Sequence, residues 1–105
     1  MSLDNEVHPI ALTDGRVRVV IENIQPAVDG GRFPVKRITG DEVVVEADCF
    51  ADGHDVLACA LKWRRAGSAW NSTPMQPLGN DRWQACFVPD ALGTWEYAVS
   101  AWVDP

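Results

Sequence analysis

An all-β, immunoglobulin-like sandwich of six to eight short antiparallel strands is predicted for this 105-residue chain. Three observations predict it. Val43 to Phe50 and Leu57 to Arg64 alternate side chains with period two, the mark of half-buried strands. Breaks rich in Gly, Pro, Asn and Asp recur between such runs, as in all-β domains. No stretch carries a helical period, and the length suits one domain.

Taken in order, residues 1–15 show no sustained period and are expected to form a flexible lead-in to one domain over 16–105. Arg16 to Ile24 reads as a first strand, with Val17, Val19 and Ile21 on one side. Pro26 to Gly31 is a turn-rich loop. Arg32 to Arg37 is extended. Pro34 disfavours a helix at Phe33 and cannot donate to a ladder, so this segment belongs at a sheet edge.

The central stretch follows. Val43, Val45, Ala47 and Cys49 share one face; Leu57, Cys59, Leu61 and Trp63 share another. With Asp52-Gly53 between them, the two runs read as a β-hairpin. Ala66-Gly67-Ser68 turns the chain, and the two prolines between Trp70 and Pro77 suit a short edge strand or loop. After a turn at Gly79-Asn80-Asp81, Trp83, Ala85 and Phe87 mark another strand. Pro89 to Gly93 turns the chain again, and Trp95, Tyr97, Val99, Ala101 and Val103 form one face of the last strand. Leu92-Gly93-Thr94-Trp95 resembles a sandwich corner, but tryptophan replaces the usual tyrosine and brings no hydroxyl to bond the backbone.

Composition excludes several function classes. The net charge of −6 argues against nucleic acid and anionic membranes, which need a cationic surface. No apolar run approaches the ~20 residues that span a bilayer. The first residues carry neither the basic region nor the apolar run of a signal peptide. Cys49, Cys59 and Cys86 are odd in number and lack zinc-ligand spacing; a reduced, cytoplasmic protein is expected.

Candidate chemistry is sparse. Asp48, Asp52, His54 and Asp55 cluster in sequence, but their spacing fits no calcium loop, and Asp and Gly set turn geometry. No acid stands in a recognisable glycosidase context. No phosphate-binding loop or nucleophile–histidine arrangement is present. No catalytic residue, metal or cofactor is expected.

Two features remain. Arg32, Phe33, Pro34, Lys36 and Arg37 join charge, an aromatic ring and stiff backbone on an acidic chain. They read either as a docking edge for another protein surface or as an edge strand guarded against aggregation. Of the five tryptophans, Trp63, Trp83 and Trp95 fall on apolar faces. Trp70 and Trp102 do not, and they are the candidates for an exposed sugar-stacking platform, with core or inter-domain packing as the alternative.

Several segments together carry a family resemblance. They are Ile24-Gln25-Pro26, the run Val28 to Arg37, Gly40-Asp41, Glu46 to Phe50, Asp52-Gly53-His54-Asp55, Gly79 to Trp83, and Ala101 to Pro105. The chain from about Arg16 onward resembles the N-terminal domain of the bacterial GlgE-type α-glucan: maltose-1-phosphate maltosyltransferases of the α-amylase superfamily. That resemblance implies a longer parent enzyme that extends α-glucan with maltosyl units and releases phosphate. It implies a retaining mechanism whose aspartate and glutamate sit in a (β/α)₈ barrel, so no catalytic residue is carried onto this sequence. It further implies a domain that packs beside the barrel and helps form a homodimer, with the Arg32–Arg37 segment as the candidate contact surface.

Overall fold

The computed structural model describes residues 10–12, 18–51 and 57–103. Its nine strands are β1 (Ile10–Leu12), β2 (Arg18–Gln25), β3 (Arg32–Val35), β4 (Val43–Ala51), β5 (Leu57–Arg65), β6 (Asn71–Pro74), β7 (Gln76–Gly79), β8 (Arg82–Phe87) and β9 (Gly93–Val103). They form two sheets, β1-β2-β4-β8-β7 (sheet A) and β3-β9-β5-β6 (sheet B), with antiparallel neighbours throughout. The immunoglobulin-like sandwich is therefore the fold.

Period-two alternation places the core. Val45, Ala47 and Cys49 of β4 point inward from sheet A, and Cys59 and Leu61 of β5 point inward from sheet B. Phe87 and the β9 residues Trp95, Tyr97 and Val99 complete the filling. Trp63 stacks on Phe87 with centroids 5.1 Å apart, which adds specific geometry to area burial.

Three expectations need correction. The Gly40–Arg64 stretch is not a hairpin. β4 pairs with β2 and β8, and β5 pairs with β9 and β6, so the chain changes sheets between them. Alternation fits both arrangements. The crossover sets the two apolar faces opposite each other, whereas a hairpin would put them on one face of one sheet. The intervening Asp52, His54 and Asp55 lie outside the described residues, as do most of residues 1–15.

The strand count is nine rather than six to eight. Ile10–Leu12, within the expected lead-in, pairs with Arg18–Val20. The Trp70–Pro77 segment holds two edge strands: β6 lies in sheet B and β7 in sheet A. The switch occurs at Met75, which is buried and donates its N–H to the Cys59 carbonyl at 2.9 Å. Finally, Trp95 does cap its corner. Its indole Nε1 donates to the Ala91 carbonyl at 2.9 Å.

Candidate docking surface

The Arg32–Val35 strand takes the predicted edge position in sheet B, with Arg32 opposite Glu96 and Pro34 opposite Thr94 of β9. Alternation decides which side chains it presents. Arg32 and Pro34 are exposed, as are Lys36 and Arg37 just beyond. Phe33 turns inward, its ring 6.2 Å from that of Phe87 and 5.9 Å from that of Tyr97. Of the five residues singled out in this segment, Phe33 thus packs against the core while the other four face solvent.

Across the outer face of sheet B, Arg32 Nε donates to Glu96 Oε2 at 3.1 Å, and Arg64 Nε donates to Glu96 Oε1 at 2.8 Å. Arg64 in turn places its guanidinium 4.2 Å from the Trp70 ring centroid, a cation–π contact. The fold therefore joins Arg32 and Trp70, which sequence reasoning treated separately, into one row: Arg32, Glu96, Arg64, Trp70. The Arg64 hydrogen bond is the main cause holding the Glu96 carboxyl below its ordinary range.

Trp70 and Trp102, whose exposure the sequence left open, are both exposed, at 46% and 41%. The other three find partners for their indole N–H groups: Trp63 with Thr73 Oγ1, Trp83 with the Cys49 carbonyl, and Trp95 with Ala91. Trp102 lies opposite Ala58 at the far end of β5, six residues along that strand from Arg64. The two exposed rings therefore do not form one platform.

Charge is segregated between the sheets. Six of the nine Lys and Arg residues, Arg32, Lys36, Arg37, Lys62, Arg64 and Arg65, stand on or just beyond β3 and β5. Glu96 is the single acid on the four strands of sheet B. Sheet B thus offers a locally cationic and aromatic face on an acidic chain.

The model of the family described as alpha-1,4-glucan:maltose-1-phosphate maltosyltransferase, domain N/S, matches residues 17–105. The chain belongs to this maltosyltransferase domain N/S family. Similar proteins include the alpha-1,4-glucan:maltose-1-phosphate maltosyltransferases of Chlorobaculum tepidum, 54% identical over 87% of this chain and 14% of that protein, and of Methylacidiphilum infernorum, 46% identical over the same shares. That of Myxococcus xanthus is 40% identical over 89% of this chain and 15% of its own length. The chain thus spans about one seventh of the curated relatives it matches.

In this maltosyltransferase N/S domain, the carboxylates with shifted acidity are engaged in pairs. On sheet A, Arg82 Nε donates to Glu46 at 3.0 Å and its Nη1 to Asp48 at 3.1 Å. Gln84 also donates to Glu46, and Asn23 to Asp48. These bonds hold both acids below their ordinary range, with Gln84 the main cause at Glu46 and Asn23 at Asp48. Such acids are poor proton donors near neutral pH. Among the described residues no group of three or more His, Cys, Asp or Glu side chains is placed to hold a metal ion. No described helix is long and apolar enough to cross a membrane.

Sequence reasoning missed a cleft of about 300 Å³ between the end of β2 and β9, lined by Ile24, Pro26, Ala27, Val28, Tyr97 and Ala98 among others. Its polar groups are largely engaged. The Tyr97 hydroxyl donates to the Pro26 carbonyl, the Asn23 amide serves Asp48, and burial pushes the Tyr97 hydroxyl up to about 12. The Ile24-Gln25-Pro26 run was the available signal, but a turn read from sequence does not reveal the strand that closes over it.

Proposed function

We propose that this domain is a non-catalytic N-terminal module of an α-glucan maltosyltransferase that uses maltose-1-phosphate as donor, and that it serves inter-domain packing and homodimer assembly. The parent is read as a cytoplasmic, retaining glycosyltransferase of the α-amylase superfamily acting in α-glucan (glycogen) biosynthesis, with its catalytic barrel outside this chain. The maltosyltransferase activity for which the relatives are named and the small share of their length that the chain spans support that reading. So do the paired states of Glu46, Asp48 and Glu96.

The observation that carries the assembly role is the cationic face of sheet B. Arg32, Pro34, Lys36 and Arg37 are exposed on or beside an edge strand, and extended edges with Arg suit protein contacts. The paired change Lys36→Glu and Arg37→Glu in the intact protein tests it, because both side chains are exposed and the fold should survive. Sedimentation is expected to show a weakened dimer, or limited proteolysis a loosened domain. Unchanged sedimentation and proteolysis would remove this face from the assembly role.

The exposure of Trp70 and Trp102 favours a second reading, an α-glucan contact. Titration with maltooligosaccharide should then change tryptophan fluorescence, and Trp70→Ala or Trp102→Ala should abolish the change. No response at millimolar sugar eliminates this reading.

A further inference from the structure

Cys49 and Cys59 occupy matched places on either side of the crossover between the sheets. Cys49 lies two residues before the end of β4, and Cys59 lies two residues after the start of β5. The even offset turns both side chains inward, one from each sheet. They are 1% and 4% exposed and belong to the same core cluster. Both are free thiols, and the neighbouring Cys49, together with burial, pushes the Cys59 thiol above its ordinary range.

A buried cysteine ordinarily acts as a small apolar residue. Two that face each other across a sandwich can do more, because one bond between them would join the sheets. We propose that Cys49 and Cys59 form a latent inter-sheet disulfide site, closed by a low-molecular-weight disulfide such as oxidised glutathione and reopened by a dithiol reductant. One protein thiolate attacks the glutathione disulfide, forms a mixed disulfide and expels one glutathione thiolate. The second protein thiolate attacks the protein sulfur of that mixed disulfide and expels the other glutathione. Both protein thiol protons pass to the two glutathione thiolates, and two protein sulfurs are oxidised as two glutathione sulfurs are reduced.

Burial accounts for the latency. A thiol without solvent access is a poor nucleophile in the folded state, so exchange proceeds when the sandwich opens or before it closes. Cys86 is a different kind of thiol. It is half-buried on the outer side of β8, with its sulfur donating to Glu42 Oε2 at 3.3 Å, and it lies outside the core cluster.

The test uses the Cys86→Ser background to prevent crosslinks through that thiol. The chain is refolded from denaturant in reduced and oxidised glutathione, and the intact protein that contains it is treated in parallel. It is then digested without reduction by a protease that cuts before aspartate. Cleavage at Asp52 and Asp55 separates Cys49 from Cys59 unless they are bridged.

The expected result is one intramolecular Cys49–Cys59 bridge and a thermal midpoint raised by roughly 10 °C, as for closure of a short loop. Dithiothreitol reverses both changes, and Cys59→Ala never shows them. Recovery of Cys49 and Cys59 as free thiols or as separate glutathione adducts would overturn the proposal. So would a bridged protein that melts below the reduced one, since its bond would then fight the native separation of the sheets.

Discussion

Arg82 Nη1 donates to the backbone carbonyl of Asn23 at 2.8 Å, so a side chain of β8 reaches across β4 to hold the bulge in β2. The bulge shifts the β2–β4 register between Glu22 and Gln25, and Asn23 sits there at φ 55°, a conformation that asparagine tolerates better than most residues. On the way, the same guanidinium engages Glu46 and Asp48. One residue therefore ties three strands together and supports the wall of the cleft.

Arg82→Ala should lower unfolding free energy by about 1–2 kcal/mol, since it removes charge-assisted bonds at a site only partly open to water. Urea denaturation measures the loss. Arg82→Lys should recover little, because an ammonium cannot reproduce the guanidinium fork.

Acid should unfold the domain through its paired carboxylates. Glu46, Asp48 and Glu96 are held below their ordinary values of 4.5, 3.8 and 4.5. The unfolded chain therefore binds protons at a higher pH than the folded one. The stability these groups contribute is complete above about pH 5 and is lost as pH falls through the depressed folded values. Urea midpoints should hold between about pH 7 and 5 as far as these groups are concerned, then decline. Glu96→Gln should make the decline shallower.

Gly31 should not accept a side chain. It has φ 74°, and an added Cβ would collide with the Tyr97 carbonyl oxygen on β9. Gly40 has a similar φ of 79°, but nothing lies within 4 Å of its missing Cβ. Gly31→Ala is expected to cost about 2–4 kcal/mol and Gly40→Ala about 1 kcal/mol, as steric collision adds to backbone strain in the first alone. Thermal melts of the two variants compare them directly.

Phe87→Ala should be severe, at about 3–5 kcal/mol. Its ring lies among Trp63, Trp95, Tyr97 and Phe33, with centroids 5.1–6.3 Å away. Phe33→Ala should also destabilise, by less, because that ring is only part-buried. Assembly is therefore better probed at Lys36 and Arg37 than at Phe33, where a lost dimer would be confounded by a weakened fold.

The faces of the strands were legible because side-chain direction is a local property of extended backbone. Alternation at Val43–Cys49, Leu57–Trp63 and Trp95–Val103 marked the core side of β4, β5 and β9. The family was legible too, since the Val28–Arg37 run and its companion segments lie within residues 17–105 that match the family model. The row from Arg32 through Glu96 and Arg64 to Trp70 was not legible. Its members lie 32 residues apart or more at the Glu96 contacts, and only strand register aligns them.

By itself the sequence determined the class of fold and the inward face of its main strands. Each follows from period-two patterning and the burial that apolar faces require. Tertiary structure alone decided which sheet each strand joined. It sent β4 and β5 to opposite sheets, turned Cys49 and Cys59 into one shared core, and concentrated cations on sheet B. The physical reason is that alternation encodes which way a side chain points, whereas backbone hydrogen-bonding groups are nearly alike in every residue. The choice of partner strand comes from global closure of the core.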